Sequence, residues 1–188
     1  STIGKREGGL WSAAGTLNAG AVQKDKGVRL AMLGILFRSA GLPDQYAPAR
    51  LMIWLKQNGY YEQVKARVEQ QERDLSKELL NMYVSPVLAE SLLAVYPQFA
   101  NSPAEVRSLL KVQYPNREDI SDEELLLTME DVLALQSTTP GKLPCTLLVF
   151  DELQQFIAED PMRTLQVQTI VEACSSRFGS KLLFVATG

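Results

Sequence analysis

Two short, uninterrupted apolar segments near the end of the chain constrain its fold more than any other feature. The first, "CTLLVF", covers residues 145–150, and the second lies in "KLLFVATG", residues 181–188. Apolar runs of this length without polar alternation are typical of parallel strands that are buried on both faces. Residues 161–177, between the two runs, show helical spacing of apolar positions. The pattern therefore predicts a strand–helix–strand unit and an α/β fold.

A helical region precedes this unit and takes up most of the chain. Apolar residues recur at helical spacing through residues 22–134, and one long polar helix is predicted over residues 60–81. The clearest helix starts are Ser102 and Ser121, because each is followed three residues later by a glutamate that can complete a capping box. Upstream, only residues 1–3 look like the end of a strand.

These patterns divide the chain into three parts. Residues 1–20 are expected to be the end of a core strand and a loop, residues 21–136 a large all-helical insertion, and residues 137–188 the strand–helix–strand unit. So small a sheet needs more strands than this sequence supplies to form a stable core. We therefore expect the chain to be a piece of a larger protein.

The composition excludes several kinds of active site. The sequence contains no histidine, so a Ser-His-Asp triad, a Cys-His dyad or a His-ligated metal site cannot form within it. The two cysteines, Cys145 and Cys174, lack C-x-x-C spacing and are predicted to be buried free thiols. Without a run of eighteen apolar residues or a signal-like start, we expect a cytoplasmic protein with no membrane partner.

Charge is unevenly distributed along the chain, although the formal net charge is only −3. Residues 1–67 contain ten Lys and Arg residues against four Asp and Glu residues. Such a basic stretch is compatible with a phosphate-rich partner such as DNA. However, it contains no dense basic block with interleaved aromatic residues, so a solvated helical surface is the simpler interpretation.

The first apolar segment ends in two adjacent carboxylates, Asp151 and Glu152. In an open parallel sheet, ligands bind outside the carboxyl ends of the strands, where this pair is expected to lie. An apolar strand that ends in Asp-Glu is the Walker B arrangement of P-loop nucleotide hydrolases. In that arrangement Asp151 binds Mg²⁺, directly or through water, and Glu152 polarises the water that attacks the γ-phosphate. The alternative is that the pair caps the next helical turn and faces solvent, because so short a motif also recurs by chance.

Thr187 follows the second apolar segment, one helix and one crossover after Asp151. AAA+ and related ATPases place a sensor of the γ-phosphate or the attacking water at the tip of this neighbouring strand. Thr187 is therefore predicted to take part in catalysis, with an ordinary polar strand end as the alternative. Arg163 and Arg177 lie on the intervening helix, where solvated surface charge is a simpler interpretation than an arginine finger.

The phosphate loop of such an enzyme is missing from the sequence. No G-x-x-x-x-G-K-[ST] motif occurs, since neither Gly4-Lys5 nor Gly141-Lys142 has the upstream glycine or the following Ser or Thr. The backbone amides that cradle phosphate would have to come from outside this chain. We therefore expect these 188 residues alone to be inactive.

The segments "LLVFDELQQFI" and "LLFVATG" resemble the Walker B and sensor regions of the large P-loop ATPases of bacterial BREX phage-defence systems, of the BrxC or PglY type. The stretch "GLPDQYAPARLMIWLKQNGYYEQVKARVE" resembles the helical region that those proteins place between Walker A and Walker B. The resemblance covers most of the chain. It implies an internal fragment of an AAA+-like ATPase that reaches from after Walker A to the sensor 1 strand.

What this resemblance implies about function is more specific than the motif alone. The cofactors would be ATP and Mg²⁺, and the partners would be other proteins of a complex that restricts phage DNA, with a homo-oligomer and contact with DNA as further options. Asp151, Glu152 and Thr187 are the residues that carry over. Two other functions stay open: a non-catalytic helical module that binds proteins, and a DNA-binding element of a larger protein.

Overall fold

The structure is a computed structural model that describes residues 8–17, 27–158 and 161–188. It is a mixed α/β protein, as the sequence predicted, and it contains a small three-stranded parallel sheet. The described residues form two compact units: one contains those up to Gly41 together with Glu118–Gly188, and the other is Leu42–Arg117. The strand predicted at residues 1–3 and the first predicted helical residues, 22–26, lie outside the described residues.

The sheet consists of β1 (Leu10–Thr16), β2 (Cys145–Asp151) and β3 (Leu182–Ala186), in the order β1-β2-β3 and with all neighbours parallel. The prediction of β2 and β3 is confirmed. Strand β1 was not predicted, because "LWSAAGT" contains mostly small residues and has only one aromatic residue, Trp11, and one β-branched residue, Thr16. Pairing with β2 along its whole length makes it a strand.

The helices follow the sequence pattern with one exception. They are α1 (Val28–Ser39), α2 (Tyr46–Gln57), α3 (Tyr61–Glu69), α4 (Leu75–Leu80), α5 (Pro86–Val95), α6 (Pro103–Gln113), α7 (Asp122–Gln136), α8 (Leu153–Ala158) and α9 (Pro161–Phe178). A 3₁₀ turn, Gly179–Lys181, leads into β3. Within these described elements, no helix has the length and apolar character needed to cross a membrane.

The predicted long polar helix over residues 60–81 is wrong. Helix α3 stops at Glu69, and Glu72 adopts a left-handed backbone with φ 56°. Asp74 then starts α4, because its side chain accepts a hydrogen bond from the Lys77 amide at 3.0 Å. The two serine caps are confirmed: the Ser102 hydroxyl accepts from the Glu105 amide at 3.2 Å, and the Ser121 hydroxyl accepts from the Glu124 amide at 3.1 Å.

In the unit that contains the sheet, the helices cover one face of it. Helix α1 packs on β1, α9 packs on β3, and α7 packs against both helices. Gly15 permits the close approach of α1, since a Cβ atom there would lie 2.9 Å from Cγ1 of Ile35. The start of α1 is tied to the start of α7, because Arg29 Nε donates to Asp122 Oδ1 at 2.7 Å.

The other face of the sheet has no cover among the described residues, which corrects the expectation that the strands are buried on both faces. Burial alternates along β2: Leu148 and Phe150 are buried, whereas Leu147 is 37% exposed. On β3, Leu183 is 63% exposed. Parallel partners point to the same face, and Leu147 and Leu183 are register partners. The uncovered face is therefore apolar.

Both cysteines are free thiols, as predicted, but only Cys174 is buried, and Cys145 is half-buried. The Cys174 Sγ lies 3.7 Å from Sδ of Met129, between α9 and α7. Burial, and secondarily the negative charge of Asp122, raises the pKa of Cys174 from its ordinary value of 9.0 to about 12. The thiol is therefore a packed apolar group and not a reactive one.

We expect Leu148→Ala to lower the free energy of unfolding by about 2–5 kcal/mol, because it empties space in the closely packed face of the sheet. Leu183→Ala, on the uncovered face of the adjacent strand, is the matched control and should change it by less than about 0.5 kcal/mol. Urea denaturation of both variants measures the difference. Equal destabilisation would contradict the assignment of one covered and one uncovered face.

The shifted pKa of Cys174 predicts a loss of stability at high pH. Above pH 9 the unfolded chain releases the thiol proton, whereas the folded chain keeps it until about pH 12. The free energy of unfolding should therefore fall by about 1.4 kcal/mol per pH unit in this window on account of this group. Cys174→Ala should remove that part of the slope in denaturation curves between pH 9 and 12. Parallel curves for the two proteins would refute the prediction.

Candidate functional site

The carboxyl ends of the three strands meet at one edge of the sheet, and each brings an oxygen-bearing side chain there. Asp151 is the last residue of β2, and its register partner Thr16 is the last residue of β1. Thr187 directly follows β3 and continues its pairing, since the Thr187 amide donates to the Phe150 carbonyl at 3.0 Å. Asp151 and Thr187 are exposed. The predicted site residues are thus brought together at the edge where parallel sheets bind ligands.

Two donors hold the carboxylate of Asp151. The Glu152 amide donates to Oδ1 at 3.0 Å, and the Thr187 hydroxyl donates to the same oxygen. The backbone of Asp151 is also fixed, because its carbonyl accepts from the Leu17 amide at 3.0 Å. No described residue donates to Oδ2. The carboxylate is therefore oriented through one oxygen while the other is available to a ligand.

Glu152 forms a sharp turn between β2 and α8. Its φ of 57° lies in the left-handed region, which a residue with a side chain seldom adopts. The turn is fastened at both sides: the Glu152 carbonyl accepts from the Phe156 amide at 3.1 Å, and the Leu153 amide donates to the Thr187 carbonyl at 3.2 Å. Backbone strain of this kind is found more often at functional sites than elsewhere. It takes the half-buried Glu152 out of the alternation of β2.

The residues present fit a magnesium ion that is mostly held by other ligands. Among the described residues, no group of three or more Asp, Glu, His or Cys side chains is placed to hold a metal. A cage built from this chain alone is therefore not supported by the described residues. Magnesium, however, keeps several waters and is commonly bound through one or two carboxylates together with substrate phosphates. Oδ2 of Asp151 is suited to that role.

The two arginines on the helix between β2 and β3 have partners within their own unit. Arg177 Nη2 lies 2.5 Å from Oε2 of Glu130 on α7. Arg163 Nη1 donates to the Phe156 carbonyl at 3.2 Å, and its guanidinium lies 4.7 Å from the centre of the Phe156 ring. Both side chains thus contribute to packing around α9.

Sequence reasoning missed Thr16, because it missed the strand on which Thr16 lies. The sequence feature that could have identified Thr16 is one that the ends of all three strand segments share. Each of the three segments ends in a residue with a side-chain oxygen, Thr16, Asp151 or Thr187. Only the pairing of Thr16 with Asp151 makes this similarity meaningful.

Comparisons with known proteins identify no relative of this chain. No family model, no curated protein and no solved structure matches the chain.

The strained turn yields a stability prediction. A left-handed residue with a side chain costs about 1–2 kcal/mol relative to glycine, so Glu152→Gly should be more stable than Glu152→Ala by about 1 kcal/mol. Glu72, with φ 56°, offers a matched position without a predicted functional role, and the same pair of substitutions there should differ in the same direction. Thermal denaturation of the four variants measures both differences. A Glu152→Ala variant as stable as Glu152→Gly would show that the turn relaxes in solution.

Proposed function

We propose that this chain supplies the Walker B and sensor 1 part of a P-loop ATPase with AAA+-like architecture. The observation that carries the proposal is the meeting of Asp151, Glu152 and Thr187 at the carboxyl edge of a parallel sheet, where the Thr187 hydroxyl orients the Asp151 carboxylate and Glu152 occupies a strained turn. An incidental Asp-Glu pair that only capped a helix would not need a partner from the neighbouring strand.

In this proposal Asp151 would hold the magnesium ion through Oδ2, directly or through a water molecule. When bound, the ion would supply positive charge that neutralises the phosphates of ATP. The protein contributes orientation: the Glu152 amide and the Thr187 hydroxyl both donate to Oδ1 and keep the carboxylate in one rotamer. Because both donors belong to this chain, the protein itself orients the carboxylate toward the metal.

Glu152 is proposed to act as the general base. Its carboxylate accepts a proton from the attacking water as that water approaches the γ-phosphate. Adjacent residues can take two separate roles here because β2 ends at Asp151, whereas Glu152 lies in the turn that follows, with a left-handed backbone. The Phe156 amide and the Leu153 amide anchor this turn, so the base is held on a fixed backbone.

The phosphate loop is proposed to lie outside these 188 residues, because the sequence contains no Walker A motif. Strand β3 is at one edge of the sheet within the described residues, so a further parallel strand that carries this loop has a free edge with which to pair. Nucleotide phosphates would then lie against the ends of β2 and β3. This chain alone is expected to bind ATP weakly and not to hydrolyse it.

The resemblance to BREX ATPases extends the proposal to a cellular role. The ATPase would work with Mg²⁺ in a phage-defence complex, together with other proteins of that complex. Contact with phage DNA would be made either by this protein or through its partners. These assignments depend on the resemblance and on the sheet-edge site together.

The ATPase proposal predicts the effect of Glu152→Gln in the protein that contains both this chain and its phosphate loop. The amide keeps the size of the side chain but cannot accept a proton, so hydrolysis should fall by about 100-fold or more while ATP binding is retained. Glu172→Gln is a matched control, because Glu172 is exposed on α9 and bonds only Gln168 among the described residues. Steady-state phosphate release and equilibrium nucleotide binding are the measurements. Unchanged turnover in Glu152→Gln would refute the assignment.

A second candidate function, a module that binds other proteins, is favoured by one observation. Residues Leu42–Arg117 form a compact unit with its own buried core and contain none of the sheet-edge residues. An enzyme core does not require such a unit. If this candidate were the whole function, Glu152→Gln would leave every activity of the parent protein unchanged.

A further inference from the structure

Four aromatic side chains form a cluster in the helical unit Leu42–Arg117: Trp54, Tyr60, Tyr96 and Phe99. They lie where α2 leads into α3 and where α5 leads into α6. The centre of the Trp54 ring lies 5.6 Å from that of Tyr60, 6.1 Å from that of Tyr96 and 5.9 Å from that of Phe99. The Tyr60 and Tyr96 rings are stacked at 5.2 Å. All four side chains are half-buried, so each also contributes to the surface of the chain.

The polar groups of this aromatic cluster have no partner within the described part of the chain. The Trp54 indole N–H and the Tyr60 and Tyr96 hydroxyls make no hydrogen bond to any described residue. None of these three groups is fully buried, because among the described residues Ser91 holds the one fully buried side-chain oxygen or nitrogen that lacks a partner. A ligand can therefore reach all three. Tyrosine and tryptophan side chains that combine apolar contact with an accessible polar group are enriched at binding interfaces.

Another tyrosine of the same unit shows the opposite arrangement. The Tyr83 hydroxyl donates to the Tyr114 carbonyl and lies 3.3 Å from Oδ1 of Asn116. Tyr83 therefore uses its hydroxyl to join two parts of the chain, whereas Tyr60 and Tyr96 leave theirs available.

The available groups favour an extended ligand that is rich in proline. An indole N–H can only donate, so its partner must be an acceptor such as a peptide carbonyl. Proline residues present a carbonyl oxygen and an apolar ring but no backbone N–H, and in the polyproline II conformation their carbonyls have no internal partner. Surfaces lined by aromatic residues bind such segments by packing the prolines against the rings. A β-strand peptide would instead bring backbone N–H groups, for which the indole offers no acceptor.

Lys56 adds a charge preference. Its Nζ lies 4.7 Å from the centre of the ring of Tyr61, the residue after Tyr60, and it forms no ion pair with a described residue. An acidic residue beside the prolines would give this ammonium group a partner. Nucleic acid is a less suitable ligand, because binding to a phosphate backbone depends on an excess of cations. The unit contains nine Lys and Arg residues against eight Asp and Glu residues.

We infer that the aromatic cluster binds an acidic, proline-rich segment of another protein in the polyproline II conformation. Prolines pack against the rings, and the segment's carbonyls accept hydrogen bonds from the Trp54 N–H and from the Tyr60 and Tyr96 hydroxyls. Lys56 pairs with the acidic residue. This surface gives the second candidate function, a module that binds other proteins, a class of ligand. It is independent of the proposed ATPase chemistry, because none of its residues lies at the sheet edge, so the Glu152→Gln experiment and those below can fail separately.

The first test uses the 188-residue chain and a synthetic oligoproline of about three polyproline II turns that begins with Asp-Asp. The chain has two tryptophans, so its ¹H–¹⁵N correlation spectrum contains two indole N–H signals, from Trp11 and Trp54. The peptide should shift the Trp54 signal saturably and leave the Trp11 signal in place. A glycine-serine peptide with the same first residues should shift neither. The absence of a saturable Trp54 shift would overturn the inference, and so would an equal shift from the glycine-serine peptide or tighter binding of oligothymidylate.

Variants test the role of the polar groups, with fluorescence anisotropy of the labelled oligoproline as the measurement. Tyr60→Phe and Tyr96→Phe keep the ring, and each should weaken binding about three- to tenfold. Neither should lower the melting temperature, because the lost hydroxyl has no protein partner. Tyr83→Phe is the matched control: it should lower the melting temperature but leave the affinity unchanged, because its hydroxyl is bonded within the unit. If Tyr60→Phe and Tyr96→Phe bound like the unmodified chain, the inference would be overturned.

Lys56→Gln tests the charge preference. Replacing Asp-Asp by Lys-Lys in the oligoproline should weaken its binding to the unmodified chain about two- to fivefold at low salt. The two peptides should bind equally to Lys56→Gln. A preference for the acidic peptide that survives this substitution would overturn the assigned pairing with Lys56.

Discussion

The parallel pairing of β1 with β2 is the constraint on which the rest of the sheet-containing unit depends. It joins Leu10 to Cys145 and continues in register to Thr16 and Asp151, so it closes a very long stretch of intervening chain. Closing such a loop costs entropy that grows only slowly with its length, so the helices between the strands add little to this cost. The parallel direction has the larger consequence. Together with the parallel pairing of β2 and β3, it puts the carboxyl ends of the three strands among the described residues at one edge, which no antiparallel arrangement would do.

The two faces of this sheet have different roles. Helices α1 and α9 cover one face. The packing on this face is tight, because Gly15 has no room for a side chain and Leu148 is fully buried. The other face exposes Leu147 and Leu183. Asp151 has the same parity on β2 as Leu147, so its side chain belongs to this uncovered face. The site residue thus continues the row of apolar side chains that lacks cover in the described part of the chain.

Whether an element of this fold could be predicted from the sequence depended on what determines that element. Some elements depend on contacts between residues close in sequence, and others on contacts between distant parts of the chain. The serine caps of α6 and α7 were predictable because a cap is a contact over three residues. The break between α3 and α4 was missed, because it rests on the left-handed backbone of Glu72, which helical periodicity does not report. Strand β1 was missed for a tertiary reason, since only pairing with β2 makes its small residues extended.

The same distinction applies to the site. The positions of Asp151, Glu152 and Thr187 followed from recognisable strand ends, but the bond from Thr187 to Asp151 depends on the register between β2 and β3, which spacing does not determine. This bond bears on the proposed role of Thr187. A hydroxyl has one hydrogen to donate, so while Thr187 donates to Asp151 it cannot also donate to a phosphate. In the proposed ATPase, Thr187 would therefore orient the metal-binding carboxylate, and sensing a γ-phosphate would require that hydrogen bond to be exchanged.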